Sequence, residues 1–240
     1  MNTKHIKRIA VGAVALSLIG GVALAPASNA AATPKRYINI SAEGTVKVVP
    51  DAVRINATAT ALLPTTKEAL AATAKAAAAI RAAFLRGGVS AKDIATQSVT
   101  VYPEYNYVQD SGQVLLGYRA NQSFTVVVRK PKIAGALTDA VVNAGGDNVQ
   151  LNGVTPFVLD TTKAVVGARA AAVKNAQVKA RAYAALAGLK LGHVNYLVEN
   201  SAPVAYPVMS AVAKDSAGGT SIDLGQQDVT VSISIQWELL

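Results

Sequence analysis

Near the C-terminus, Val229, Val231, Ile233, Ile235 and Trp237 alternate with Thr230, Ser232, Ser234 and Gln236. A period of two with one apolar side predicts a half-buried strand, and it places the Trp237 ring in the core. The same alternation sets Val53, Ile55, Ala57, Ala59 and Ala61 against Arg54, Asn56, Thr58 and Thr60. Tyr37 to Val49 has strand composition too, and the turn signal Pro50-Asp51 joins the two as an expected hairpin.

Helical spacing then takes over. Thr65 and Glu68 form a capping box after Pro64, and Gly87-Gly88 ends the element. Between them Leu70, Thr73, Ala77, Ile80 and Phe84 predict one stripe facing a core. Ile94 to Val108 and Val114 to Val128 read as a long hairpin turning at Gln109 to Gln113. Pro131 opens a shorter helix that Gly145-Gly146 closes. Val149 to Leu159, interrupted at Gly153 and Pro156, is expected to be a bent or edge strand.

A long alanine-rich helix follows from Thr162 to Ala187, capped by Asp160 or Thr161, and His193 to Glu199 is a short strand. Ser201 to Gln226 is expected to be a long, mostly irregular loop before the final strand. Hairpins interleaved with helices predict an α+β fold: an antiparallel or mixed sheet of long hairpins, with two long Ala-rich helices and one shorter helix packed on it. Thr65-Thr66-Lys67 and Thr161-Thr162-Lys163 both start long helices, a faint hint of internal duplication.

The first thirty residues stand apart. Lys4, His5, Lys7 and Arg8 precede an apolar run from Ile9 to Ala25, and Ser28-Asn29-Ala30 supplies small residues. This is the layout of a secretory signal peptide cleaved after Ala30; the alternative is a retained anchor, for which the run is short. Residues 31–240 are then expected to form a single domain. Lys4, Lys7 and Arg8 leave with the signal and no acid does, so the net charge falls from +9 to +6. Export also makes nucleic acid an unsuitable partner for a basic chain.

Composition removes whole classes of chemistry. Zero cysteines exclude disulfides, thiol nucleophiles, zinc–thiolate sites and iron–sulfur clusters. The sequence holds no G-x-S-x-G, S-x-x-K, H-E-x-x-H or phosphate-binding glycine loop. The acids are scattered, and His193 is left without a catalytic partner nearby in sequence. No catalytic residue, metal site or cofactor is expected.

Two features exceed that background. Tyr102, Tyr105, Tyr107 and Tyr118 cluster in the long hairpin, where they suit either cross-strand packing or a binding surface. The long helix carries Lys163, Lys174 and Arg181 on one stripe and no acid, a face for an anionic envelope polymer, a membrane surface or plain solvent. Tyr102 and Tyr118 join the three cations as candidate binding residues.

The segment Glu43-Gly44-Thr45-Val46-Lys47-Val48-Val49-Pro50-Asp51-Ala52 resembles the N-terminal signature of the SIMPL-domain family (DUF541). Pro103-Glu104-Tyr105-Asn106-Tyr107 with Gly117-Tyr118-Arg119-Ala120 resembles its central hairpin, and Ala187-Gly188-Leu189-Lys190-Leu191-Gly192 with the final strand resembles its C-terminal half. Lys130-Pro131 departs from the family's acidic helix cap. The resemblance implies an α+β fold, export to the periplasm, cell envelope or medium, no agreed catalytic residues, an associative link to envelope or oxidative stress, and assembly into rings or channel-like oligomers.

The expected function is therefore an exported, non-enzymatic envelope protein that assembles with copies of itself. The candidate contact is Val204, Tyr206, Val208 and Met209, an apolar patch between prolines in the long loop. The alternative is a binding module for anionic cell-wall polymer or carbohydrate.

Overall fold

The structure is a computed structural model. It describes residues 35–109, 112–200 and 219–240, and the backbone of 204–208. The signal segment and Met209 lie outside the described residues. Among the described residues eight strands and three α-helices follow one another as β1 (Tyr37–Val48), β2 (Ala52–Leu63), α1 (Thr66–Arg86), β3 (Ile94–Val108), β4 (Gly112–Val128), α2 (Ala134–Gly145), β5 (Val149–Phe157), α3 (Thr162–Leu186), β6 (Leu191–Glu199), β7 (Val204–Val208) and β8 (Gln226–Leu239). The α+β class is as the sequence predicts. The arrangement of its strands is not.

The strands form two antiparallel sheets rather than one. β3-β4-β2-β5 make one sheet; β1-β8-β6, with β7 also on β8, make the other. The expected β1–β2 hairpin does not exist. Pro50-Asp51 carries the chain from one sheet to the other, and β1 pairs with β8 along its whole length, from Tyr37 opposite Glu238 to Val48 opposite Gln227. The turn signal was correct, but alternation along a strand does not name its partner.

Each sheet buries one face under helix. In the first, Val53, Ile55, Phe124 and Val126 meet Ile80 and Phe84 of α1, and α2 adds Leu137 and Val141. The capping box forms at the start of α1: the Thr65 hydroxyl accepts from the Glu68 backbone N–H at 3.2 Å. The Glu68 carboxylate accepts a hydrogen bond from the Thr65 hydroxyl at 2.8 Å rather than reaching back to the backbone. Leu70 of the predicted stripe is exposed instead, and Ala69, Ala76 and Ala83 fill the face. Thr73 is buried there and donates to the Ala120 carbonyl at 3.1 Å. Pro131 opens a 3₁₀ turn that runs into α2.

In the second sheet Ile40, Val229, Val231, Ile233, Ile235 and Trp237 pack against α3. The helix presents Ala164, Ala168, Ala172, Ala176, Ala180 and Ala184, a row at every fourth position. Only Val165 adds more than a methyl group to the helix's buried face, and helix and sheet approach closely. Where they come nearest, β1 has Gly44, which pairs with Val231. At the start of α3, Asp160 rather than Thr161 supplies the cap, accepting from the Thr162 N–H at 2.9 Å.

The region expected to be irregular holds β7, paired to β8 from Val204 opposite Thr230 to Val208 opposite Gln226. The returning segment binds the layers together: Thr220 donates its hydroxyl to Asp139 of α2 at 2.6 Å, while Ile222 and Leu224 pack against the first core. Gln227 of β8 then donates to the Pro156 carbonyl of β5 at 2.8 Å.

Candidate functional surfaces

The long hairpin outgrows its sheet. β4 pairs with β2 only as far as Tyr118 opposite Leu63, yet β3 and β4 continue together to Val108 opposite Gly112. Beyond Leu63 the two strands form a free-standing ribbon. Its apolar side chains are in solvent: Tyr105, Val108, Val114, Leu115 and Leu116 are exposed, and Tyr107 is 77% exposed. At the base of the ribbon Leu116 is the extra residue of a bulge, since Glu104 faces Gly117 while Tyr105 faces Leu115. Gly117 lies at φ 148, and a side chain there would run into the Leu63 carbonyl.

Glu104 and Arg119 form a bidentate ion pair beside that bulge, with Arg119 Nη2 donating to Oε1 at 2.8 Å. Hydrogen bonding to Arg119 lowers the Glu104 pKa. β3 is also an edge strand, and every side chain along it except Ile94 and Glu104 is exposed. At the opposite sheet, α3 guards edge strand β1: Asn175 donates to the Glu43 carbonyl at 2.8 Å and Lys179 to the Ser41 carbonyl at 3.4 Å. These groups line a shallow groove of about 550 Å³ between α3 and β1.

The four tyrosines do not converge. Tyr102 is exposed on the open face and accepts from Asn121 Nδ2 at 3.3 Å. Tyr118 sits at the next position opposite β3, across from Pro103, on the helix-covered side. The two candidate binding tyrosines therefore point to opposite faces. Tyr105 and Tyr107 share a face by alternation, opposite Leu115 and Gln113.

Lys163, Lys174 and Arg181 are all exposed, on the side of α3 away from its alanine row. Arg169 lies off that stripe and is bound to Glu199, with Nε 2.7 Å from the carboxylate. That bond holds the Glu199 pKa below its ordinary value. The valines between these cations, Val166, Val173 and Val178, are exposed as well. Sequence reading passed over them because a valine in an alanine-rich helix looks like core.

Val204, Tyr206 and Val208 lie on edge strand β7. His193, seemingly alone in sequence, is on β6, with Nδ1 2.9 Å from the Glu238 carboxylate. Their residue numbers are 45 apart, so spacing gave no signal. Among the described residues no cluster of His, Asp and Glu could hold a metal ion.

The chain is 29% identical, over all of both sequences, to the "26 kDa periplasmic immunogenic protein" of Brucella melitensis and to the protein of the same name from Brucella abortus. Residues 38–237, which run from β1 to Trp237 in β8, match the SIMPL family, described as "Protein of unknown function (DUF541)". The chain belongs to the SIMPL family.

Proposed function

We propose that this chain is an exported periplasmic or envelope protein without catalytic activity, which assembles with copies of itself through the β3–β4 ribbon. The observation that carries the reading is the ribbon itself. A two-stranded hairpin standing alone is marginal in water, and this one bears Tyr105, Tyr107, Leu115 and Leu116 in solvent. Burial against a second copy removes that apolar surface, and the open edge of β3 supplies backbone groups for strand addition. The periplasmic names of the relatives and the basic-apolar-small N-terminus support the compartment. Edge strand β7, with Val204, Tyr206 and Val208, and Met209 beyond it, is the second candidate contact.

Light scattering on the purified protein tests the assembly. The wild type is expected to form oligomers at micromolar concentration. Tyr107→Ser with Leu115→Ser and Leu116→Ser is expected to give a folded monomer. A monomeric wild type removes the reading. An assembly that survives the ribbon variant but is lost when Val204 to Met209 become Gly/Ser moves the contact to β7.

A further inference from the structure

We propose that the outer face of α3 docks the protein on an anionic phospholipid surface, with the helix lying in the plane of the headgroups. The inference is independent of self-assembly. α3 has 25 residues and is roughly 38 Å long at 1.5 Å per residue. No described helix is long and apolar enough to cross a membrane.

At 100° per residue Lys163, Lys174 and Arg181 fall within about 20° of one another. Val166 and Val173 flank that line on one side and Val178 on the other, at 60%, 41% and 60% exposure. From Thr162 to Leu186 there is no acid. The acids near its ends are engaged: Asp160 caps the N-terminus and Glu199 holds Arg169.

The pattern discriminates between partners. A hydrated anionic polymer needs the cations alone and gains nothing from valines beside them. A bilayer interface takes both, with ammonium and guanidinium groups at the phosphates and short branched side chains just below. A second copy is disfavoured, because a two-fold pairing of this face sets like charges against each other. The alanine row on the inner side fixes the orientation, since turning α3 would lift that row from the sheet.

The test uses full-length protein and vesicles of phosphatidylcholine with or without phosphatidylglycerol. The chain has no cysteine, so Ala170→Cys provides a single labelling site in the centre of this face, and Ala78→Cys a control on α1. A polarity-sensitive dye at residue 170 is expected to shift blue on phosphatidylglycerol vesicles only, with no shift at residue 78. Lys163→Glu with Lys174→Glu and Arg181→Glu is expected to lower affinity for those vesicles at least tenfold, and Val166→Ser with Val173→Ser and Val178→Ser severalfold. The proposal is overturned if the dye at residue 170 does not respond. It is also overturned if the serine variant binds like wild type while the glutamate variant does not, the outcome that points to an anionic polymer.

Discussion

Gly44 of β1 lies against the backbone of α3 so closely that a β-carbon on it would sit 2.1 Å from the Ala168 carbonyl oxygen and 2.2 Å from the Ala172 nitrogen. Neither atom belongs to a side chain that can swing away. Helix and sheet have to separate to admit even one methyl group. Gly44→Ala is therefore expected to destabilise the fold by about 1–3 kcal/mol, the range for overpacking a tight core, and Gly44→Val by more. Denaturant unfolding with a circular-dichroism readout measures it; an unchanged midpoint would mean that α3 does not sit this close.

Trp237 is the largest side chain of the second core and is almost fully buried. Trp237→Ala is expected to cost about 3–5 kcal/mol. Deleting Val229 to Leu240 removes all of the β8 residues that pair with β6 and most of those that pair with β1, and is expected to leave an insoluble chain. A soluble truncation that melts cooperatively would refute the central role of β8.

Acid is expected to weaken the protein in a defined window. Hydrogen bonds lower the pKa values of Glu104 (from Arg119), Asp93 (from Arg129), Glu199 (from Arg169) and Asp139 (from Thr220). In acid the unfolded chain then binds more protons than the folded one. Their contribution is complete above the ordinary carboxylate values of 4.5 and 3.8 and is lost as pH falls below them. The melting temperature should be level near neutrality and fall below about pH 4. Glu104→Gln should make that fall shallower; a profile identical to wild type would show that the pair is not formed in solution.

The N-terminal segment makes a separate prediction. Exported material is expected to begin near Ala31, by intact mass and N-terminal sequencing. A chain starting at Met1 in that fraction would overturn cleavage after Ala30.

Local structure was legible in the sequence where chemistry is local. The Thr65–Glu68 box, the Gly87 stop, the edge character of a strand holding Gly153 and Pro156, and the buried Trp237 all follow from spacing and side-chain type. Partnership was not legible. Alternation in β1 and β2 is equally compatible with a hairpin and with two separate sheets, because both bury the same residues. β7 escaped notice because two prolines within eleven residues of the loop's start read as turn chemistry, while its pairing with β8 is a tertiary event. The cationic stripe on α3 was visible as charge. Its valines became meaningful only once the alanine row was known to occupy the buried side.

The union of β1 with β8 has a consequence in time. Ser41 and Ser234, whose hydroxyls meet at 3.0 Å across these strands, are 193 residues apart. The sheet of β2 to β5, with α1 and α2, is built from the contiguous stretch between Ala52 and Phe157 and can close while the rest of the chain is still emerging from the ribosome. β1 cannot. The first strand to be synthesised waits, unpaired, for the last, so α3 has no complete sheet to lie on until synthesis ends. The two sheets are thus bound to form in a fixed order, the β2–β5 sheet first and the β1–β8 sheet only once the final residues are released.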